Sequence, residues 1–472
     1  MSKEKVYMKT NLGAQILKCR DDKAPVLFNS VKDASDSAEP FKLADGYECS
    51  WLKKDESLNP AKLRSRIEPW LTALFQSEHL SLLVGSGLSR ALHMMATGKD
   101  IATMDLTKFK DYDTEINTEA KKTAGETGRE SGNIEDQIRV ANELLRGLEI
   151  LAASDETITE RTTNLKKEIK SVLDRFVASI LKSENELIVS KKKDIEQAFN
   201  YLVSFLMSFA SRTGTRDRLH IFTTNYDRFI EAGAELAGLH LLDRFVGSLA
   251  PIFRSSRLDV DMHYNPPGIR GEPRYLEGVA RFTKLHGSLD WIHSEKTIKR
   301  IGLPLGAEGI EPYLIAPGLA GADALQLMIY PNSAKDRETA AYPYVDLFRD
   351  FAAAICRPNS TLISFGYSFG DEHINRVIED MLTIPSSHLV VISYSDPLGR
   401  IMQVYEKLGR PAQITLLIGD HLGDFKTLVD NYLPKPAIDR TTFRMAELLK
   451  ARWTTGQLEV SEDNNDSGKG GT

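Results

Sequence analysis

A chain of 472 residues is longer than one average hydrophobic core fills, so two or three structural units are expected. Hydrophobic residues make up 42% and charged residues 27%, an ordinary soluble composition, and a net charge of −6 carries no basic excess of the kind nucleic-acid binding imprints. Cys19, Cys49 and Cys356 are too scattered for a zinc ribbon or a disulfide framework. No apolar run approaches the ~18 residues that cross a bilayer. The expectation is a cytoplasmic protein with neither membrane nor direct nucleic-acid contact.

Residues 1–60 are polar, with weak signals such as FKLADGYECSWL. They are expected to form an arm that serves oligomerisation, or a small capping element, ahead of a catalytic unit over 61–435. Apolar spacing from Leu63 to Phe75 predicts a helix, and His79–Val84 a short buried strand. Next comes Gly85-Ser86-Gly87-Leu88-Ser89. Glycines there let backbone approach a phosphate, and Ser89 can cap a helix whose amino terminus attracts anions. Arg90 stands where a dinucleotide fingerprint would have its third glycine, and a plain tight turn accounts for the same residues.

Residues 98–130 are polar and nearly free of large apolar side chains, which predicts an exposed loop or mobile lid. Three helical stripes follow: Ile134, Ile138, Ala141, Leu145 and Leu148; then Leu165, Ile169, Val172, Phe176 and Ile180; then Ile195, Phe199, Leu202, Leu206 and Phe209. They read as packing faces of a helical insertion over 98–210. The chain then enters an apolar strand ending in Phe222-Thr223-Thr224-Asn225-Tyr226-Asp227. A turn explains Asn and Asp by their local hydrogen bonds. At the carboxyl end of a strand they can equally hold a ribose or a water.

A helix over 228–239 and a loop-rich section lead to a strand at 279–285 that ends in His286-Gly287. A lone histidine is more often structural, but its near-neutral titration suits general-base work. His286, Asp290 and His293 in HGSLDWIH have metal-like spacing without a further ligand cluster, so no metal is expected. After a helix at 344–355 and a strand at 361–365 comes Gly366-Tyr367-Ser368-Phe369-Gly370. This matches GxSxG between strand and helix, the setting of a nucleophile elbow, with Asp396 or Asp420 and His421 as partners. Two more strands are predicted at 388–394 and 413–418. Residues 436–472 read as a helix and a disordered tail. Strands alternating with helices predict an α/β fold with a doubly wound, mostly parallel sheet.

The elbow leaves two motifs unexplained. All four together, GSGLS, TTNYD, KLHGSLDW and GYSFGDEHI, each at a strand end, resemble the sirtuin-like NAD-binding fold over roughly residues 80–420. The resemblance implies a Rossmann-like domain in which Gly85, Ser86, Gly87 and Ser89 line the pyrophosphate. It makes Asn225 the holder of the attacking water or ribose, flanked by Thr224 and Asp227, and His286 the general base. Gly366 and Ser368 would line the cofactor. Ser86 replaces the usual alanine and Thr224 the usual glutamine. Protein-deacylating sirtuins carry a four-cysteine zinc module that three scattered cysteines cannot build, so no zinc is expected.

Lack of that module, with the helical insertion, is similar to the bacterial sirtuin-like effectors of anti-phage defence that hydrolyse NAD. The resemblance thus implies an NAD glycohydrolase with NAD as substrate, a homo-oligomer, and a HerA-type ATPase as candidate partner. A serine hydrolase using Ser368 and a non-catalytic NAD sensor or scaffold are the competing readings.

Overall fold

The computed structural model describes residues 14–30, 41–52, 56–101, 106–126, 132–153, 155–212, 216–256, 262–264, 274–294, 297–315, 319, 327–329 and 342–435. The expected helix and tail at 436–472 lie outside them. Eleven strands form the main sheet. In chain order they are β1 (Ala14–Lys18), β2 (Val26–Ser30), β3 (Phe41–Leu43), β4 (Ser57–Leu58), β5 (His79–Val84), β6 (His220–Thr223), β7 (His240–Leu242), β8 (Val279–Lys284), β9 (Ser360–Phe365), β10 (His388–Ser393) and β11 (Ile414–Ile418). Their spatial order is β4-β3-β2-β1-β11-β10-β9-β5-β6-β8-β7. From β11 to β7 every pairing is parallel.

The chain leaves β5 in one direction, through β6 to β8, then returns to the other side of β5 with β9 and continues outward. The direction reverses between β5 and β9, and such a switch point leaves a crevice outside the carboxyl ends of the strands.

Side-chain alternation builds a layer on each face of the sheet. Leu82, Val84, Ile221, Ile363 and Val390 pack with α1 (Pro60–Phe75), α2 (Ser86–Thr97), α6 (Lys192–Ala210) and α7 (Phe229–Ala237). Their sequence neighbours Leu83, Phe222, Leu362 and Leu389 pack on the opposite side with α8 (Tyr344–Ile355), α9 (Glu372–Met381) and α10 (Arg400–Leu408). The fold is therefore a doubly wound α/β sandwich of Rossmann-like type, as the alternating pattern predicted.

Two regions differ from the sequence expectation. The described residues between 14 and 58 add to the main sheet: β1 pairs antiparallel with β11, and β2, β3 and β4 continue it outward. Strands this short carry little periodicity of their own. The expected loop or lid at 98–130 contains α3 (Asp113–Glu126), whose Ile116, Ala120 and Ala124 are buried at i, i+4 and i+8. Alanine supplies a narrow apolar stripe that the surrounding charges mask.

With α4 (Ile134–Ala152) and α5 (Glu156–Ile188), α3 forms a third core against a second, five-stranded sheet that includes Gly287–Ser294, Thr297–Arg300 and Phe245–Val246. Helix α4 starts on a capping box between Asn133 and Asp136. The insertion is thus α3–α5, while α6 belongs to the main layer.

Candidate functional site

The loop after β5 is short because α2 begins at Ser86, with Gly85 as its cap residue and no side-chain cap bond. That leaves the positive end of a twelve-residue helix beside the crevice. Gly85, Gly87 and Gly366 are packed backbone to backbone. A Cβ on Gly85 would lie 2.4 Å from the Gly366 carbonyl oxygen, and one on Gly366 would lie 2.7 Å from the Gly87 Cα. Gly366 also has φ +62°. The Gly87 amide donates to the Gly366 carbonyl at 3.1 Å. These glycines are therefore required, before any ligand is considered, to let the β5 and β9 loops touch at the switch point. Ser86 is exposed and Ser89 buried.

The β6 loop is tied to the β5 loop by side chains. Asn225 Nδ2 donates to the Gly85 carbonyl at 3.0 Å and to Ser89 Oγ at 2.9 Å, and Ser89 Oγ donates to Asp227 Oδ2 at 2.5 Å. Both amide protons of Asn225 are then engaged, which leaves Oδ1 as its working acceptor. Asp227 Oδ1 accepts from the Phe229 amide at the start of α7. The Thr224 amide donates to the Val84 carbonyl, so its backbone, rather than its half-buried side chain, fixes the loop.

Lys284, the last residue of β8, is 1% exposed, and its ammonium donates to the carbonyls of Tyr226 and Asp227 and to Glu231 Oε1. The Tyr226 ring lies in the third core beside Phe176, and its hydroxyl reaches Glu135 at 3.4 Å. Burial first, then the Glu135 charge, holds the Tyr226 hydroxyl well above its ordinary range, so it remains a donor.

His286 sits at a corner. Gly287 takes φ +85° and turns the chain out of the main sheet into the second one. The imidazole faces the Tyr226 ring at 6.4 Å between centroids, and Nε2 is 2.9 Å from Asp371 Oδ2. Asp371 follows the β9 loop and caps α9, with Oδ1 accepting from the His373 amide at 3.0 Å. This pair joins loops whose strands are separated by β5 and β6. The four motifs thus form a closed circuit: the β9 loop touches the β5 loop, β5 touches β6, β6 touches β8, and β8 returns to β9.

Ser368 borders this circuit but no elbow is assembled around it. It is exposed, the left-handed residues of the loop are Gly366 and Phe369 (φ +62° and +54°) rather than Ser368, and among the described residues no hydrogen bond joins Ser368 to a histidine. His421 instead meets the Tyr432 hydroxyl at 2.7 Å and the Phe41 ring. Asp396 accepts from the Met402 amide, and Asp420 from Gln15. A cavity of about 420 Å3 lined by Asn359, Ser386, His388 and Gln413 lies at the opposite, amino-terminal end of the strands. The metal-like trio is dispersed too: His286 pairs with Asp371, Asp290 lies near Arg300, and His293 is exposed.

The sequence reading missed Asp371, Lys284 and the contact of Tyr226 with the insertion. The only signal for Lys284 was its place at the end of the strand, immediately before Leu285-His286. Asp371 caps α9, a role that accounts for an aspartate at that position without reference to His286.

The fold and this circuit define an α/β protein of Rossmann type with its candidate site at the switch point. Residues 219–409 match the family described as SIR2-like domain. That stretch is less than half of the chain. It contains TTNYD, KLHG and GYSFGDEH and leaves out the Gly85–Ser89 loop, and it is compatible with NAD-related activity. No curated protein matches the chain. Among the described residues no helix is long and apolar enough to cross a membrane.

Proposed function

We propose that the protein is an NAD glycohydrolase that cleaves NAD to nicotinamide and ADP-ribose. The observation that carries this reading is that hydrogen bonds join Asn225, Ser89 and Asp227 at the switch point, and that the ring of Tyr226, between Asn225 and Asp227 in the chain, lies beside His286. The residues suit the substrate. The amino terminus of α2, which has no side-chain cap, favours a pyrophosphate, and the Asn225 amide oxygen offers an acceptor beside it.

The glycosidic bond leaves its electron pair on the departing nicotinamide, and an oxocarbenium-like ribose forms. Asn225 Oδ1 accepts one hydrogen of a water. The water oxygen bonds to the anomeric carbon, and His286 takes the other proton and passes it to solvent. General-base help of this kind is worth roughly 100- to 10,000-fold, and orientation of the water adds to it.

The reading extends to the setting implied by the resemblance: a cytoplasmic, oligomeric defence effector that depletes NAD, with a HerA-type ATPase as partner. Only resemblance supports that part. The test is chromatography of NAD incubated with the wild type, Asn225→Ala, His286→Ala and Ser368→Ala, alone and with extract of phage-infected cells. Nicotinamide plus ADP-ribose is expected from the wild type and, with a raised KM, from Ser368→Ala. Asn225→Ala and His286→Ala should be slower by about 100-fold or more. Intact NAD throughout, with ester cleavage that depends on Ser368, would overturn the proposal in favour of a serine hydrolase.

A further inference from the structure

We infer that Asp371 is the positioning residue for His286, fixing the imidazole tautomer so that Nδ1 carries the basic lone pair. This rests on the proposed role of His286 as the base. Among the described residues, Asp371 is the hydrogen-bond partner of the His286 ring, through Nε2 and Oδ2 at 2.9 Å. The other aromatic neighbour, Tyr226, has its hydroxyl directed to Glu135. A carboxylate only accepts hydrogen bonds, so Nε2 must donate. A neutral imidazole has a single proton, and Nδ1 is then the nitrogen able to take one. When His286 becomes charged, the same carboxylate balances it.

Asp371 is held for this task from several sides. Its side chain is 6% exposed, and Oδ1 is occupied by the His373 amide. Its carbonyl accepts from the Asn375 amide at 3.0 Å and lies 3.2 Å from the Tyr367 hydroxyl. Burial keeps that hydroxyl protonated, since it raises Tyr367 well above its ordinary range. The first turn of α9 therefore sets the carboxylate, and the carboxylate sets the ring.

Asp371→Asn separates this role from the structural one. Asparagine caps a helix about as well as aspartate, so the His373 amide keeps its acceptor. The amide nitrogen would then face Nε2, which must accept, and the imidazole proton moves to Nδ1. Long-range proton–nitrogen NMR on histidine-labelled protein should report the Nε2–H tautomer in the wild type and Nδ1–H in Asp371→Asn. The kcat for NAD cleavage should fall about 100- to 10,000-fold with KM unchanged, since the lost base acts only in the reaction step. The unfolding midpoint should stay within a degree or so. Asp371→Ser still caps α9 and should give a mixture of tautomers, so the inference remains testable if the asparagine variant does not fold. An unchanged tautomer, or a kcat within about threefold of wild type, overturns the inference. A tautomer that switches in Asp371→Asn while the wild type itself cleaves no NAD upholds the positioning role and defeats the glycohydrolase reading.

Discussion

Lys284→Met is the sharpest test of how the site is held. The ammonium is buried and has three partners: the Asp227 carbonyl at 2.5 Å, Glu231 Oε1 at 2.9 Å and the Tyr226 carbonyl at 3.3 Å. Breaking a buried ion pair by removing one member costs about 3–5 kcal/mol, because the other charge stays behind. Here that charge is partly relieved. The Glu231 side chain keeps 32% of its surface accessible, although Oε2 is enclosed without a partner. Burial also pushes its carboxyl above the ordinary range, so it takes up a proton more readily once the lysine is gone. Screening of this kind brings the cost below that range, to about 2–3 kcal/mol, or roughly a thirty- to 160-fold loss in the folded-to-unfolded ratio. Urea unfolding of the full chain measures it. Glu231→Gln added to Lys284→Met should recover part of the loss, since no unpaired charge remains. A midpoint shift worth less than about 0.5 kcal/mol, or strictly additive single changes, would refute the account, because the lysine would then be neither buried nor coupled.

Gly366→Ala should destabilise the protein by at least ~1–2 kcal/mol from its left-handed φ, more because the new methyl meets the Gly87 backbone, and it should weaken NAD cleavage too; calorimetry showing an unchanged melting temperature would contradict the loop contact. His388 is held down at about 4 by burial, with the Lys18 charge adding, against an ordinary 6.5. Its contribution to stability is complete above pH 6.5 and is lost as pH falls towards 4, at up to ~1.4 kcal/mol per pH unit. Buried His220 is shifted the same way. His388→Gln should flatten the acid limb of a melting-temperature profile, and an identical slope would sink the assignment. Tyr226→Phe removes only a long hydrogen bond to Glu135, so a midpoint change below about 1 kcal/mol is expected; a larger one would mean the hydroxyl has a role beyond that contact.

Most of the parallel half of the fold was legible because its central strands are compact apolar runs between helical stripes, and Tyr344–Ile355 was placed to the residue, whereas the three-residue edge strand His240–Leu242 was read as part of a loop-rich section. The four motifs were legible as strand ends. How they join was not. That Asp371 reaches His286 across β5 and β6 depends on strand order, which no local pattern encodes. Strands such as Phe41–Leu43 acquire their identity only from the neighbours they pair with. The Ala-based face of α3 failed for a different reason: small side chains bury well but register weakly as hydrophobic periodicity. The glycines of GSGLS were read as room for a phosphate, whereas the room is filled first by the neighbouring loop.

The pairing of β1 with β11 has a consequence for how the chain is made. Ile16 lies opposite Ile418, and Gln15 caps the turn after β11 through the amides of His421 and Leu422. During synthesis the first strands leave the ribosome long before the edge they complete exists. Paired only with one another, they must wait for the partner of β1 until nearly the whole α/β sandwich has been translated. A chain halted before residue 414 would carry two unfinished borders: the bare flank of β10 and a free antiparallel ribbon seeking a partner. Ribosome stalling just before and just after that point should therefore separate a sticky, protease-sensitive nascent chain from one already sealed.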